Sequence, residues 1–118
     1  MARYEHLPIY KSAMDLVLEM EKTVRNMSWF NKYGIGTELR KRSLAILSFV
    51  VRANSTDKKK EVLKEIRITI EELKQLLFLG KETKTLQALQ IFENLMEKAE
   101  SVAKQSEGCL KSQKVKKL

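Results

Sequence analysis

Residues 36–53 read GTELRKRSLAILSFVVRA, and their pattern decides the fold class. Thr37 can cap a helix start, and Glu38 falls in the first turn, where the positive end of the helix dipole favours a carboxylate. Neither Gly nor Pro interrupts the segment after Gly36. Along it, Leu39, Leu44, Ala45, Ile46, Leu47, Phe49, Val50 and Val51 cover more than one stripe of a helix. A helix with so much apolar circumference cannot face water on its far side in a small monomer. The segment therefore predicts a helix with a second buried face, and hence an oligomer.

Working outward, the chain breakers fall at Pro8, residues 31–36, residues 54–57, residues 80–85 and Gly108, and apolar residues recur at helical spacing between them. A first helix is expected over residues 7–26, with Ala13, Leu16, Val17, Met20, Val24 and Met27 on its inner stripe. Pro8 suits its first turn, where a missing N–H costs nothing. The second helix starts at Gly36 or Thr37, with Thr37 as cap, and ends near Ala53. The third opens at residues 54–57 and runs through Leu79 with Gly80 as its terminating residue, turning Val62, Ile66, Leu73, Leu76 and Leu77 inward. The fourth starts after Lys84 or Thr85, carries Leu86, Leu89, Phe92, Leu95, Met96, Ala99 and Val102 inward, and ends at Gly108. Four such helices with short loops predict an all-α, antiparallel up-down-up-down bundle over residues 1–110, followed by a flexible basic tail over residues 111–118.

Composition supports this and excludes much else. The 118 residues suffice for one domain, and 4 Gly with 1 Pro leave little material for the turns of a sandwich or barrel. A single Cys, Cys109, cannot form an internal disulfide, and with His6 as the lone His no zinc site of familiar spacing can be assembled. His6 reads as an interface or capping residue. No window approaches the ~18 uncharged apolar residues of a membrane span. The opening MARYEHLPIYK lacks the apolar run of a signal peptide, so a cytoplasmic protein is expected. Glu71-Glu72 and the Glu19/Glu21 pair come without the Glu-x-x-His pattern of bundle metal sites, so neither an enzyme nor a cofactor is expected.

Charge gives the functional hint. Lys and Arg number 23 against 15 Asp and Glu, a formal net charge of +8, which favours a polyanion or an acidic protein as partner. The excess concentrates on residues 31–55, where Lys32, Arg40, Lys41, Arg42 and Arg52 meet one acid, Glu38. Three successive helical residues span about 200°, so Arg40, Lys41 and Arg42 cannot share one face and at least one must turn to a neighbouring helix or subunit. Lys41 and Arg52 lie eleven apart, on one line of the helix. Two readings follow: an anion-binding ridge of Lys41, Arg52 and Lys32, or a solvated face that keeps an apolar helix soluble. The run Lys58-Lys59-Lys60 reads as a solvated helix start. Trp29, Phe30 and Tyr33, interleaved with Lys32, are expected to lid the end of the core, the other reading being a surface that stacks nucleobases.

RYEHLPIYKSAMDLVLEMEKTVRN (residues 3–26), WFNKYGIGTELRKRSLAILSFVVRANS (residues 29–55) and EELKQLLFLGKE (residues 71–82) resemble the accessory variability determinant (Avd) family of diversity-generating retroelements. The resemblance covers residues 3–110 and is most specific at LPIYK and at the KYxIGxELR pattern. The wider relatives are four-helix proteins encoded in ribosomal-RNA intervening sequences, which typically end their second helix in an acidic turn; Val51-Arg52-Ala53-Asn54-Ser55 departs from that and favours the Avd branch. The resemblance implies a protomer that assembles into a ring-like homopentamer and binds the element's reverse transcriptase and template RNA or cDNA, in support of mutagenic reverse transcription. The alternative is a structural interaction module of the intervening-sequence type that binds no nucleic acid. On the first reading Lys32, Arg40, Lys41, Arg42 and Arg52 are the expected contacts to nucleic acid or partner, and no membrane is involved.

Overall fold

A computed structural model describes residues 7–116, with side chains described for residues 7–110. His6 lies outside the described residues, as do Lys117 and Leu118. The chain is all-helical there: α1 spans Pro8–Arg25, the short α2 Trp29–Asn31, α3 Thr37–Ser55, α4 Lys59–Glu82 and α5 Leu89–Lys116. The four long helices form a closed bundle of 50 × 28 × 20 Å in which each packs against its neighbours in sequence and α5 returns to α1. Neighbours are antiparallel. Glu21 near the end of α1 meets Arg40 near the start of α3, Leu63 of α4 meets Ser106 of α5, and Ser12 of α1 meets Ser101 of α5.

The inner stripes alternate steps of three and four residues, which keeps one face of each helix on the bundle axis. On α3 the buried positions are Leu39, Ser43, Ile46, Val50 and Ala53; on α4 they include Leu63, Ile66, Ile70, Leu73 and Leu77. Val62 and Leu76, expected inside α4, instead flank the core with Leu47 and Phe49. Each fully buried Leu or Ile contributes about 1.5–3 kcal/mol of apolar transfer free energy.

Several expectations are corrected. The wide apolar circumference of α3 does not make a second exposed face, because α1 and α4 flank the helix closely enough to absorb most of it. Of its large apolar side chains only Leu44 is exposed, at 45%. Residues 31–36 are not an open loop. Ser28 caps α2, its Oγ accepting from Asn31 N at 3.4 Å, and a widened turn over Lys32–Gly36, kinked at Gly34, carries α2 into α3. Thr37 is therefore no cap, and its hydroxyl donates back to the Lys32 carbonyl at 3.1 Å.

Gly80 does not end α4. It is buried within the helix because Leu86 folds onto it: a Cβ there would meet Leu86 Cγ at 3.2 Å and Ile35 Cδ1 at 3.5 Å. The helix continues to Glu82, and the left-handed residue that follows is Lys84, at φ 60°. With Leu86 placed in the connection ahead of α5, Leu89 opens the helix on its outer side and is 59% exposed. Nor does Gly108 stop α5, whose backbone stays helical through Lys116 across most of the segment expected to be a tail. Cys109 lies inside that helix, half-buried against the core.

Candidate nucleic-acid interface

The five cations singled out from the sequence separate into two groups. Arg40 turns toward α1, where its Nε lies 2.8 Å from Glu21 Oε2. Arg42 turns toward α4: its guanidinium donates to Glu38 Oε1 at 2.5 Å, one turn back on α3, and its Nε lies 3.7 Å from Glu72 Oε1. That Nε is buried and has no hydrogen-bond partner, so the Arg42–Glu72 contact acts through charge alone. The Arg42 hydrogen bond, with the charges of Arg42 and Lys41 beside it, holds the Glu38 carboxyl below the usual carboxylate range against the opposing effect of desolvation. The sequence expectation that the Arg-Lys-Arg run must splay onto neighbouring helices thus holds twice.

Lys41 is left between them, exposed and without an ion pair among the described residues. Arg52, three turns along the same line, is also exposed and also without an acid among the described residues. Its guanidinium carbon lies 5.4 Å from the centroid of the Phe49 ring, a cation–π contact that fixes the side chain yet leaves its charge unneutralised. Ser48 is exposed between them. Lys32 stands apart from this ridge, half-buried in the kinked turn.

Elsewhere, charge serves the fold. Lys74 Nζ bridges Glu71 of its own helix, at 3.4 Å, and Glu100 of α5. Burial pulls Lys74 toward its neutral form, but Glu100 and Glu71 outweigh that and hold its pKa above the ordinary lysine value. Lys98 Nζ donates to Asp15 across α5 and α1 at 2.6 Å, which raises its pKa as well, and Arg67 pairs with Glu107 at 3.1 Å. Lys59 and Lys60 occupy the first turn of α4 beside Glu61.

The aromatic side chains do not lid the core. Trp29 is 76% exposed, Phe30 80% and Tyr33 67%. Met27 and Ile35 pack inward at that end in their place, and Gly36 lets the turn approach α1 closely: a Cβ at Gly36 would lie 3.0 Å from both Asn31 O and Val24 Cγ1. Trp29 and Tyr33, one helical turn apart, touch with ring centroids 5.5 Å apart and planes tilted by 57°. Between Glu21 and Glu38 the chain has no acidic residue, while Lys22, Arg25 and Lys32 fall within that stretch. None of the three makes an ion pair among the described residues. Lys22 and Arg25 were not selected from the sequence, although counting the gap between acids would have found them.

A cleft of about 280 Å³ lies at the same end between the close of α1 and residues 85–91, with Glu19, Lys22, Thr23 and Gln87 on its walls. Gln87 Nε2 donates to the Asn26 carbonyl across it at 3.4 Å. Among the described residues no group of three or more His, Cys, Asp or Glu side chains is placed to hold a metal ion, and no helix is long and apolar enough to cross a membrane. Compared with protein-family models and with curated proteins, the chain matches none.

Proposed function

We propose that the protein is a non-enzymatic accessory factor that binds template RNA or its cDNA and acts beside the reverse transcriptase of a diversity-generating retroelement, as the resemblance to the Avd family implies. The observation that carries the nucleic-acid part is the outer ridge of α3. Lys41 and Arg52 stand exposed on one line with no acid paired to either among the described residues, while Arg40 and Arg42 beside them pair with Glu21, Glu38 and Glu72. Unneutralised cations on a rigid helix gain from displacing the counterions of a phosphate backbone; cations already paired gain far less.

Assembly into a ring-like homopentamer, which the resemblance supplies, would repeat this two-residue ridge and turn weak phosphate contacts into useful affinity through avidity. Recognition would rest on charge and RNA shape, with sequence choice left to the reverse transcriptase or to the folded RNA. The Lys41→Glu/Arg52→Glu double variant tests this. Helicity and particle size by light scattering stay as in the parent, while RNA retention is lost and the salt dependence of binding collapses; unchanged RNA binding defeats the assignment.

The second reading, a structural interaction module of the ribosomal-RNA intervening-sequence type, draws on Arg40 and Arg42, whose pairing inside the protomer removes two of the five expected contacts. The two readings part on ionic strength. An RNA binder loses affinity as a power of salt concentration, whereas a protein adaptor need not.

A further inference from the structure

We infer that the turn bearing Trp29, Phe30 and Tyr33 is a stacking platform for the unpaired bases of single-stranded nucleic acid. This rests on the reading of the protein as a nucleic-acid binder but uses a different surface, the end of the bundle and not the ridge of α3. Three large rings are held out in water on five residues of chain, with exposures of 76%, 80% and 67%. A monomer gains nothing from that arrangement, because Met27 and Ile35 already cover the core beneath.

The rings are also positioned. Ser28 caps the short helix that carries them, Lys32 N donates to the Ser28 carbonyl at 2.8 Å, and the Trp29–Tyr33 contact fixes one ring against the other at 57°. A tilted pair cannot close face to face, so each ring keeps a face free for a base.

Charge selects the occupant. A docked apolar peptide would meet the same rings, but the surrounding stretch holds Lys22, Arg25 and Lys32 with no acid between Glu21 and Glu38. The one acid among the residues lining the adjoining cleft is Glu19, on the wall shared with Lys22. Rings that offer π-faces on a stretch whose charged residues are all cations match a ligand that alternates phosphates with flat bases. A duplex keeps its bases stacked inside, so the ligand must be single-stranded.

Trp29 is the protein's only Trp, so its emission reports on this turn without labelling. The probes are an oligouridylate of about 15 nucleotides, matching a short single-strand site, the corresponding oligothymidylate, a blunt RNA duplex and heparin. The platform predicts saturable quenching of Trp29 by both single strands and little by the duplex or heparin at equal charge. Phe30→Ala and Tyr33→Ala should each weaken single-strand binding by about tenfold while leaving duplex and heparin affinity unchanged. All three side chains are exposed, so circular dichroism of the variants should match the parent. Quenching by heparin equal to that by the single strands overturns the platform. So does a Phe30→Ala/Tyr33→Ala variant that keeps full single-strand affinity but releases the reverse transcriptase, which would make the turn a protein interface. Duplex binding that persists with no response from Trp29 overturns the platform and leaves the proposed function standing, whereas failure of every nucleic acid to bind overturns both.

Discussion

The α4–α5 seam and the turn leading into α3 treat charge in opposite ways. Along the seam, Lys74 and Arg67 each find a carboxylate on the facing helix, and the ion pairs border a dry core of Ile70, Leu73, Leu95 and Val102. In the stretch around the turn, Lys22, Arg25 and Lys32 find none among the described residues, and three large rings on the same stretch stand in water. A cation paired to an acid adds to the stability of the protomer. A cation left unpaired adds repulsion to the protomer, and it stays free to meet something anionic. The contrast divides the molecule into a part that builds the bundle and a part held ready for a partner.

The largest expected effect tests the first half of that division. Leu95→Ala, at a fully buried position, should cost about 2–5 kcal/mol in a denaturant titration. A loss below about 1 kcal/mol would mean that the bundle interior is not close-packed. Next, Gly36→Ala should destabilise by about 1–3 kcal/mol, since the added methyl meets a backbone carbonyl and the Val24 side chain at 3.0 Å. A neutral result would show that the turn can move away from α1, and the aromatic end would lose its rigidity.

A smaller effect should appear at alkaline pH. The pKa of Lys74 is raised in the folded state, so its contribution is complete below the unfolded lysine value near about 10.4 and is lost as pH climbs through the folded value. Melting temperature in the parent should therefore fall as pH climbs above about 10.4, and Lys74→Met should flatten part of that slope, with a change under about 1 kcal/mol at neutral pH. A slope identical in parent and variant would remove Lys74 from the account. The smallest effect belongs to the other region: Phe30→Ala should move stability by less than about 0.5 kcal/mol, because its ring is 80% exposed. A loss comparable to that of Leu95→Ala would return the ring to the role of core lid.

Much of the bundle was legible in the chain because helical periodicity is local information. Leu16, Met20, Ile66 and Leu95 declare their inward face through spacing alone, and the structure buries all four. Element ends were less legible. Gly80 carries the local signature of a helix stop, but Leu86 needs a residue without a side chain to pack against, and that requirement exists only once the connection has folded back. The same holds at Trp29, Phe30 and Tyr33. Their composition suits a lid or a platform equally, and the choice fell to Met27 and Ile35, which occupy that end of the core.

The candidate site shows the same limit. Geometry along one helix required Arg40, Lys41 and Arg42 to diverge, but which of them would meet an acid depended on Glu21 and Glu72, residues 19 and 30 positions away in the chain. By itself, then, the sequence determined the helices, most of the inner face of the first, third and fourth long ones, and the basic excess, all of which follow from residue type and spacing within a few turns. Only the tertiary structure decided which cations are neutralised, which glycine accepts a neighbour and which rings stay in water, because pairing and burial are properties of segments brought together from distant parts of the chain.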